Sequence, residues 1–178
     1  AVLMLSSGRR SLIKDAPLLF VGKGQVGGKG VGVDRNELAG RVALLLDAGI
    51  DNSERQNALL TAGAAAVLTV LDGDRTLESV AARRRRSGYA LADDNVGGDL
   101  EGFITREGID RLLQGSPRTL ASLEQAASAP DFAPQLLDVT ATLEATTSET
   151  TIRTHNLIGK LPGRRPESGA VLFLAHWD

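Results

Sequence analysis

The sequence predicts an α/β (α+β) fold: mixed β-sheets with short helices, followed by further strands. Three observations predict it. The apolar runs "PLLFVG", "RVALLLD" and "AAAVLTVLD" have the length and composition of buried strands, and a helix-forming stretch separates the last two. From Leu137 onward the texture becomes Thr-rich and alternates in polarity, which is the period of antiparallel strands with one solvated face. Apolar residues make up 42% of the 178 residues and aromatics only 3%, so the core must be built from Ala, Val, Leu and Ile. Such side chains suit sheets covered by small helices.

Taken in order, "AVLMLSSGRRSLI" reads as two short strands joined by a Ser-Ser-Gly turn, after which Pro17 opens the buried strand "PLLFVG". The stretch "KGQVGGKGVGVDRNELAG" carries six glycines from Gly24 to Gly40 and is predicted as a loop. "RVALLLDAGI" is the cleanest strand. Asn52 or Ser53 then caps the helix "SERQNALLTAG", with Leu59 and Leu60 inward and Gly63 as its stop. "AAAVLTVLD" follows at once, so residues 41–71 have the spacing of a parallel strand–helix–strand crossover.

A polar helix "RTLESVAARRRR", the stretch "GYALAD", and a strand running into a helix from Arg106 to Gln114 come next. "SPRTLASLEQAASAP" reads as a short helix with Ser116 as cap and Pro117 as its first residue. The Thr-rich segment "LDVTATLEATTSETTIRTHNLIGKLPG" reads as two long antiparallel strands joined near "TTSET". Pro130 and Pro134 mark the change of texture near residue 136, where a domain boundary is expected.

Composition narrows the function. With 20 basic and 22 acidic residues the net charge is −2, which gives no global electrostatic case for nucleic acid or an anionic membrane. The absence of cysteine excludes disulfides, thiolate metal sites and cysteine nucleophiles. No apolar run reaches the length that spans a bilayer, and no signal-peptide pattern opens the chain.

"FVGKGQVG" places Gly22, Gly24 and Gly27 after a strand as a literal G-x-G-x-x-G, with Asp47 at the end of the next strand. That fingerprint needs a helix opening at its third glycine. Here Gly28, Gly30 and Gly32 follow instead, each costing a helix about 0.8–1 kcal/mol relative to alanine, so the dinucleotide reading is rejected. Arg83 to Arg86 read as a solvated helix end, with Glu78 nearby and Tyr89 as the one aromatic neighbour. His155, in an alternating strand without a carboxylate at ligand spacing, reads as a structural histidine.

The run "AVLFLAHWD" is different. On a strand, residues two apart share a side, so His176 and Asp178 project together while Trp177 faces away. A metal-binding histidine usually gives its second ring proton to a carboxylate, and these two residues suit either that pairing or joint ligation. A solvated strand end is the competing reading.

"THNLIGKLPGRRPESGAVLFLAHWD" resembles a segment of the co-catalytic dizinc peptidases of clan MH, the family of bacterial leucyl aminopeptidases, glutamate carboxypeptidase and the transferrin receptor. There an Asn-Val-Ile-Gly strand and a Leu-Pro-Gly turn precede a buried strand ending in Ala-His-x-Asp. By this resemblance His176 is a zinc ligand and Asp178 the aspartate that orients it and supports catalysis. Asn156, Gly159, Pro162 and Gly163 match the strand and turn. The middle of the chain, "PLLFVGKG", "ELAGRVALLLD", "RQNALLTAGAAAVLTV" and "FITREGIDRLL", resembles a protease-associated domain, with Gly40 and Arg41 at the start of its central strand.

The resemblance implies leading strands over 1–15, a protease-associated domain over 16–136 and the first strands of a zinc peptidase domain over 137–178. It implies a fragment of an aminopeptidase-type, zinc-dependent exopeptidase whose intact form holds two zinc ions, acts on peptides and is exported to the periplasm or beyond. The bridging aspartate, the glutamate base and the other ligands are expected downstream, so this fragment alone is expected to be inactive and to bind no zinc. Its unpaired C-terminal strands are expected to be disordered, to dock as an edge or to self-associate. The alternative is a stand-alone, non-catalytic protease-associated binding module.

Overall fold

The structure is a computed structural model that describes residues 1–24, 33–47, 52–85, 91, 99–148, 150–162, 164–165, 169 and 171–175. It is mixed α/β, with one six-stranded, curled, mixed sheet and short helices. The strands are β1 (Val2–Ser6), β2 (Arg10–Phe20), β3 (Val42–Leu46), β4 (Ala66–Val70), β5 (Leu100–Ile104) and β6 (Gln135–Thr146), in the order β1-β5-β4-β3-β2-β6. The four inner strands are parallel, and β1 and β6 run antiparallel at the edges. The helices are α1 (Arg35–Leu38), α2 (Asn52–Thr61), α3 (Leu77–Arg85), α4 (Arg106–Leu112) and α5 (Leu120–Ala127).

The crossover β3-α2-β4 forms as its spacing predicts, with Val42 opposite Ala66 and Leu46 opposite Val70. Gly63 ends α2 at φ 110°, donating to the Leu60 carbonyl while Ala64 donates to that of Leu59. That pair of bonds satisfies the last helical carbonyls through a left-handed residue, a conformation glycine adopts without a Cβ penalty. Leu59 is fully buried and Leu60 partly so.

The two sheet faces carry different cores because strand side chains alternate. Leu19, Val21, Ala43, Leu45 and Val67 pack under Leu38 of α1 and Leu59 of α2, and Leu71, Val80 and Phe103 extend this layer beneath α3. On the other face Leu18, Phe20, Leu44 and Leu68 meet Ile109 of α4, Leu123 of α5 and the inner residues of β6. The sheet curls around this second core until its edges approach, where Thr147 Oγ1 donates to the Ser6 carbonyl at 3.0 Å.

Several expectations are corrected. Two strands flank the Ser-Ser-Gly turn as expected, the second longer than expected; β1 pairs with β5, and β2 pairs with β3 and β6. Pro17 does not open a new strand; it lies inside the 11-residue β2. Proline lacks a ladder donor, and the register against β6 shifts between Pro17 and Leu19, where β3 joins. A second shift falls at Asp15, whose φ of 48° lets its amide donate to Thr142 Oγ1.

The glycine-rich loop contains one helical turn, α1, because Asp34 and Glu37 form a reciprocal capping box. Helix α5 is capped by Thr119 and Ser122, not by Ser116 and Pro117. Only the first of the two expected Thr-rich strands forms; residues 150–162 contain no strand, and His155 is exposed there rather than held in a ladder. Alternating polarity marks a segment able to half-bury itself without naming the surface it meets, and β6 takes the available edge of β2.

Candidate functional site

Open α/β sheets gather ligands at the carboxyl ends of their parallel strands, and here that end collects the polar groups. After β2 the chain turns at Gly22 and Gly24, with φ of 59° and 70°, and the Gly22 carbonyl accepts from Leu46 at 2.8 Å. The Phe132 ring lies against this turn, 2.8 Å from where a Gly22 Cβ would stand, and meets Phe20 edge-on at 5.6 Å. Close approach and positive φ both demand glycine at position 22.

Asp47 follows β3, and its side chain is wholly buried. Its carboxylate accepts from Arg75 Nη1 at 2.8 and 3.1 Å, while its amide donates to the Val70 carbonyl at the end of β4. Asp72, after β4, accepts from the Gly73 amide at 2.7 Å. Thr76 and Ser79 then exchange side-chain bonds that start α3. After β5, Thr105 caps α4 through the Gly108 amide, and Arg106 grips the Glu124 carboxylate of α5 through both terminal nitrogens at 2.6 and 2.9 Å. That bond to Glu124, opposed by slight desolvation and helped by nearby Asp72 and Asp110, raises the Arg106 pKa further and keeps it cationic.

Chemically, Asp47 at the end of β3 and Glu124 of α5 are each neutralised by an arginine. Among the described residues no group of three or more His, Cys, Asp or Glu side chains could hold a metal ion. The dinucleotide fingerprint fails here as well. Asp47 is buried against Arg75 and cannot present its carboxylate to a ribose, while Gly27 lies outside the described residues.

His176 and Asp178, the residues singled out as ligand and orienting carboxylate, also lie outside the described residues, as do Trp177 and Gly163. Asn156, Gly159 and Pro162 are exposed, without regular secondary structure. Arg83 is exposed on α3, in keeping with a solvated helix end, and Arg86 and Tyr89 lie outside the described residues. The Asp47–Arg75 pair was not anticipated as a pair. Its two members are 28 residues apart and meet only because the crossover sets β3 beside β4.

No helix among the described residues is long and apolar enough to cross a membrane. No protein-family model and no curated protein matches the chain.

Proposed function

We propose that this chain is part of an aminopeptidase-type zinc exopeptidase: a protease-associated domain that borders the active-site cleft and modulates substrate access, followed from residue 137 by the first strands of the peptidase domain. One observation carries the reading. The apolar run Val171–Leu174 is 78–90% exposed although its composition is that of a buried strand, and it stands between the Leu-Pro-Gly turn and Ala-His-x-Asp. An apolar segment with that sequence, outside the six-stranded sheet and uncovered, fits one whose sheet is formed by other residues of a larger peptidase domain. The parallel β3-α2-β4 unit with "AGAAAV" entering β4 adds support for the protease-associated part.

In this reading His176 holds one of two zinc ions and Asp178 orients its ring. Paired zinc ions activate a water nucleophile and polarise the scissile carbonyl. The described residues do not supply a donor set, and a lone histidine falls short of the usual three protein ligands, so no step of hydrolysis is assigned to this chain alone. The substrate is a peptide, and the setting is extracytoplasmic.

The test is the coding sequence beyond codon 178 together with the protein it encodes. An in-frame Asp-Asp-Gly-x-Ala stretch followed by Glu-Glu is expected. The longer protein should release nitroaniline from leucyl p-nitroanilide, stop when treated with a chelator and recover with zinc. His176→Ala should abolish turnover, and Asp178→Asn should lower it about 10- to 100-fold. Zinc-dependent turnover indifferent to His176→Ala would overturn the reading.

A stand-alone binding module is favoured by a different observation: among the described residues, the strands and helices up to Thr146 enclose their own cores without using Val171–Leu174. A stop codon after Asp178 would decide for it.

A further inference from the structure

We propose that Asp72 and Gly73, the one Asp-Gly dipeptide in the sequence, form a self-modifying site that converts to isoaspartate through a cyclic imide, and that this conversion loosens the Asp47–Arg75 pair. Both residues are exposed in the turn between β4 and α3. The Gly73 amide donates to Asp72 Oδ1 at 2.7 Å, so the side chain is folded back with its Cγ close to the nitrogen that attacks it. Proximity of this kind replaces a bimolecular encounter. The fold does not require glycine here, because its φ lies outside the left-handed region and a Cβ would meet nothing within 4 Å. What glycine contributes is an amide nitrogen with no side chain to screen it. Asp74, exposed in the same turn, is followed by Arg75 and lacks that advantage.

The chemistry needs only water. The Gly73 nitrogen attacks Cγ of the protonated Asp72 carboxyl; the N–Cγ bond forms, the Cγ–OH bond breaks, and the hydroxyl leaves with the amide proton as water. A water then adds to the imide. Opening at Cγ returns aspartate, whereas opening at the main-chain carbonyl leaves the chain running through Cγ, with the former carbonyl as a free carboxylate. That carbonyl is the group that accepts from the Arg75 amide at 3.0 Å and so fixes the turn. The turn gains a methylene and loses this bond, one residue pair away from the guanidinium that neutralises the buried Asp47 carboxylate.

This inference is independent of the peptidase reading, since it involves neither zinc nor the segment after β6. The chain is incubated warm at neutral pH for several weeks and then treated with an isoaspartyl methyltransferase and labelled S-adenosylmethionine. Label should accumulate at residue 72 and not at Asp74, as located by peptide fragmentation. Gly73→Ala should label at least severalfold more slowly with an unchanged starting fold, and Asp72→Glu, which needs a larger ring, should not label there. The urea midpoint of the aged chain should fall as label rises and recover after repair by excess methyltransferase. In Arg75→Met the same conversion should lower it less. Absence of label at residue 72, equal label at Asp74, or a rate indifferent to Gly73→Ala overturns the site. A midpoint that stays constant as label rises, or an equal fall in Arg75→Met, overturns its link to Asp47.

Discussion

Asp47 and Arg75 tie the ends of β3 and β4 together through a carboxylate with no exposed surface and a guanidinium that is 27% exposed. The exposure is asymmetric, so losing either partner has a different consequence. Arg75→Met strands a buried charge and costs about 2–3 kcal/mol, below the 3–5 kcal/mol of a fully buried pair because the arginine keeps part of its hydration. Asp47→Asn keeps hydrogen-bonding capacity and should cost less. Urea-unfolding midpoints of the two variants check the order; equal losses would show that Asp47 is held mainly by its other contacts.

Gln56 of α2 and Thr69 of β4 form the one buried side-chain hydrogen bond that joins helix to sheet among the described residues, at 2.8 Å. Thr69→Val preserves shape but leaves the Gln56 amide donor unpaired in the core, at a cost of about 1–3 kcal/mol. Gln56→Leu/Thr69→Val removes both polar groups and should recover most of that loss. A double-mutant cycle by thermal or urea unfolding measures the coupling.

Gly102 lies in β5 where β4 and β1 flank it, and a Cβ there would stand 2.8 Å from both Leu68 Cδ1 and Met4 Sδ. Gly102→Ala therefore overpacks the core, at about 1–3 kcal/mol. Met4→Ala should partly rescue it by vacating the contested space, although alone it destabilises. Non-additive unfolding free energies in the double variant are the expected signature.

What could be read from the sequence depended on whether the signal was local. The β3-α2-β4 crossover was legible because Gly63 and the two apolar runs carry their instructions within about thirty residues. Ser116-Pro117 misled because it has the form of a helix start, yet Ser116 N bonds back to Leu113 and its hydroxyl accepts from Arg118, so it closes the turn after α4. The stronger Thr119–Ser122 box lay three residues further on. Strand partners were illegible: β1 reaches β5 across nearly a hundred residues, and polarity alternation in β6 says nothing of β2. The Asp47–Arg75 pair is likewise a product of topology. For His176 and Asp178 the local pattern fits a ligand pair and a solvated strand end alike, and only the resemblance of the preceding "THNLIGKLPG" separates the two.

Glu107, in the first turn of α4, is held below the ordinary glutamate range by a bond to its own backbone amide and by the Thr105 hydroxyl, against a small desolvation. The amide is one of the free N-terminal groups of the helix, and both donors favour the ionised carboxylate. Because the folded pKa is depressed, the unfolded chain binds more protons across the interval between the two values, and stability rises with pH there. The contribution is fully present above the unfolded value of about 4.3 and is lost as pH falls through the folded one. Glu107→Gln removes it. The gap in unfolding midpoint between the unaltered chain and Glu107→Gln should therefore hold from neutral pH to about 5 and then narrow as acid is added. Urea titrations across that range measure the gap. If it persists undiminished at the acid end, Thr105 and the helix amides bind the neutral acid as well as the carboxylate, and the cap is steric rather than electrostatic.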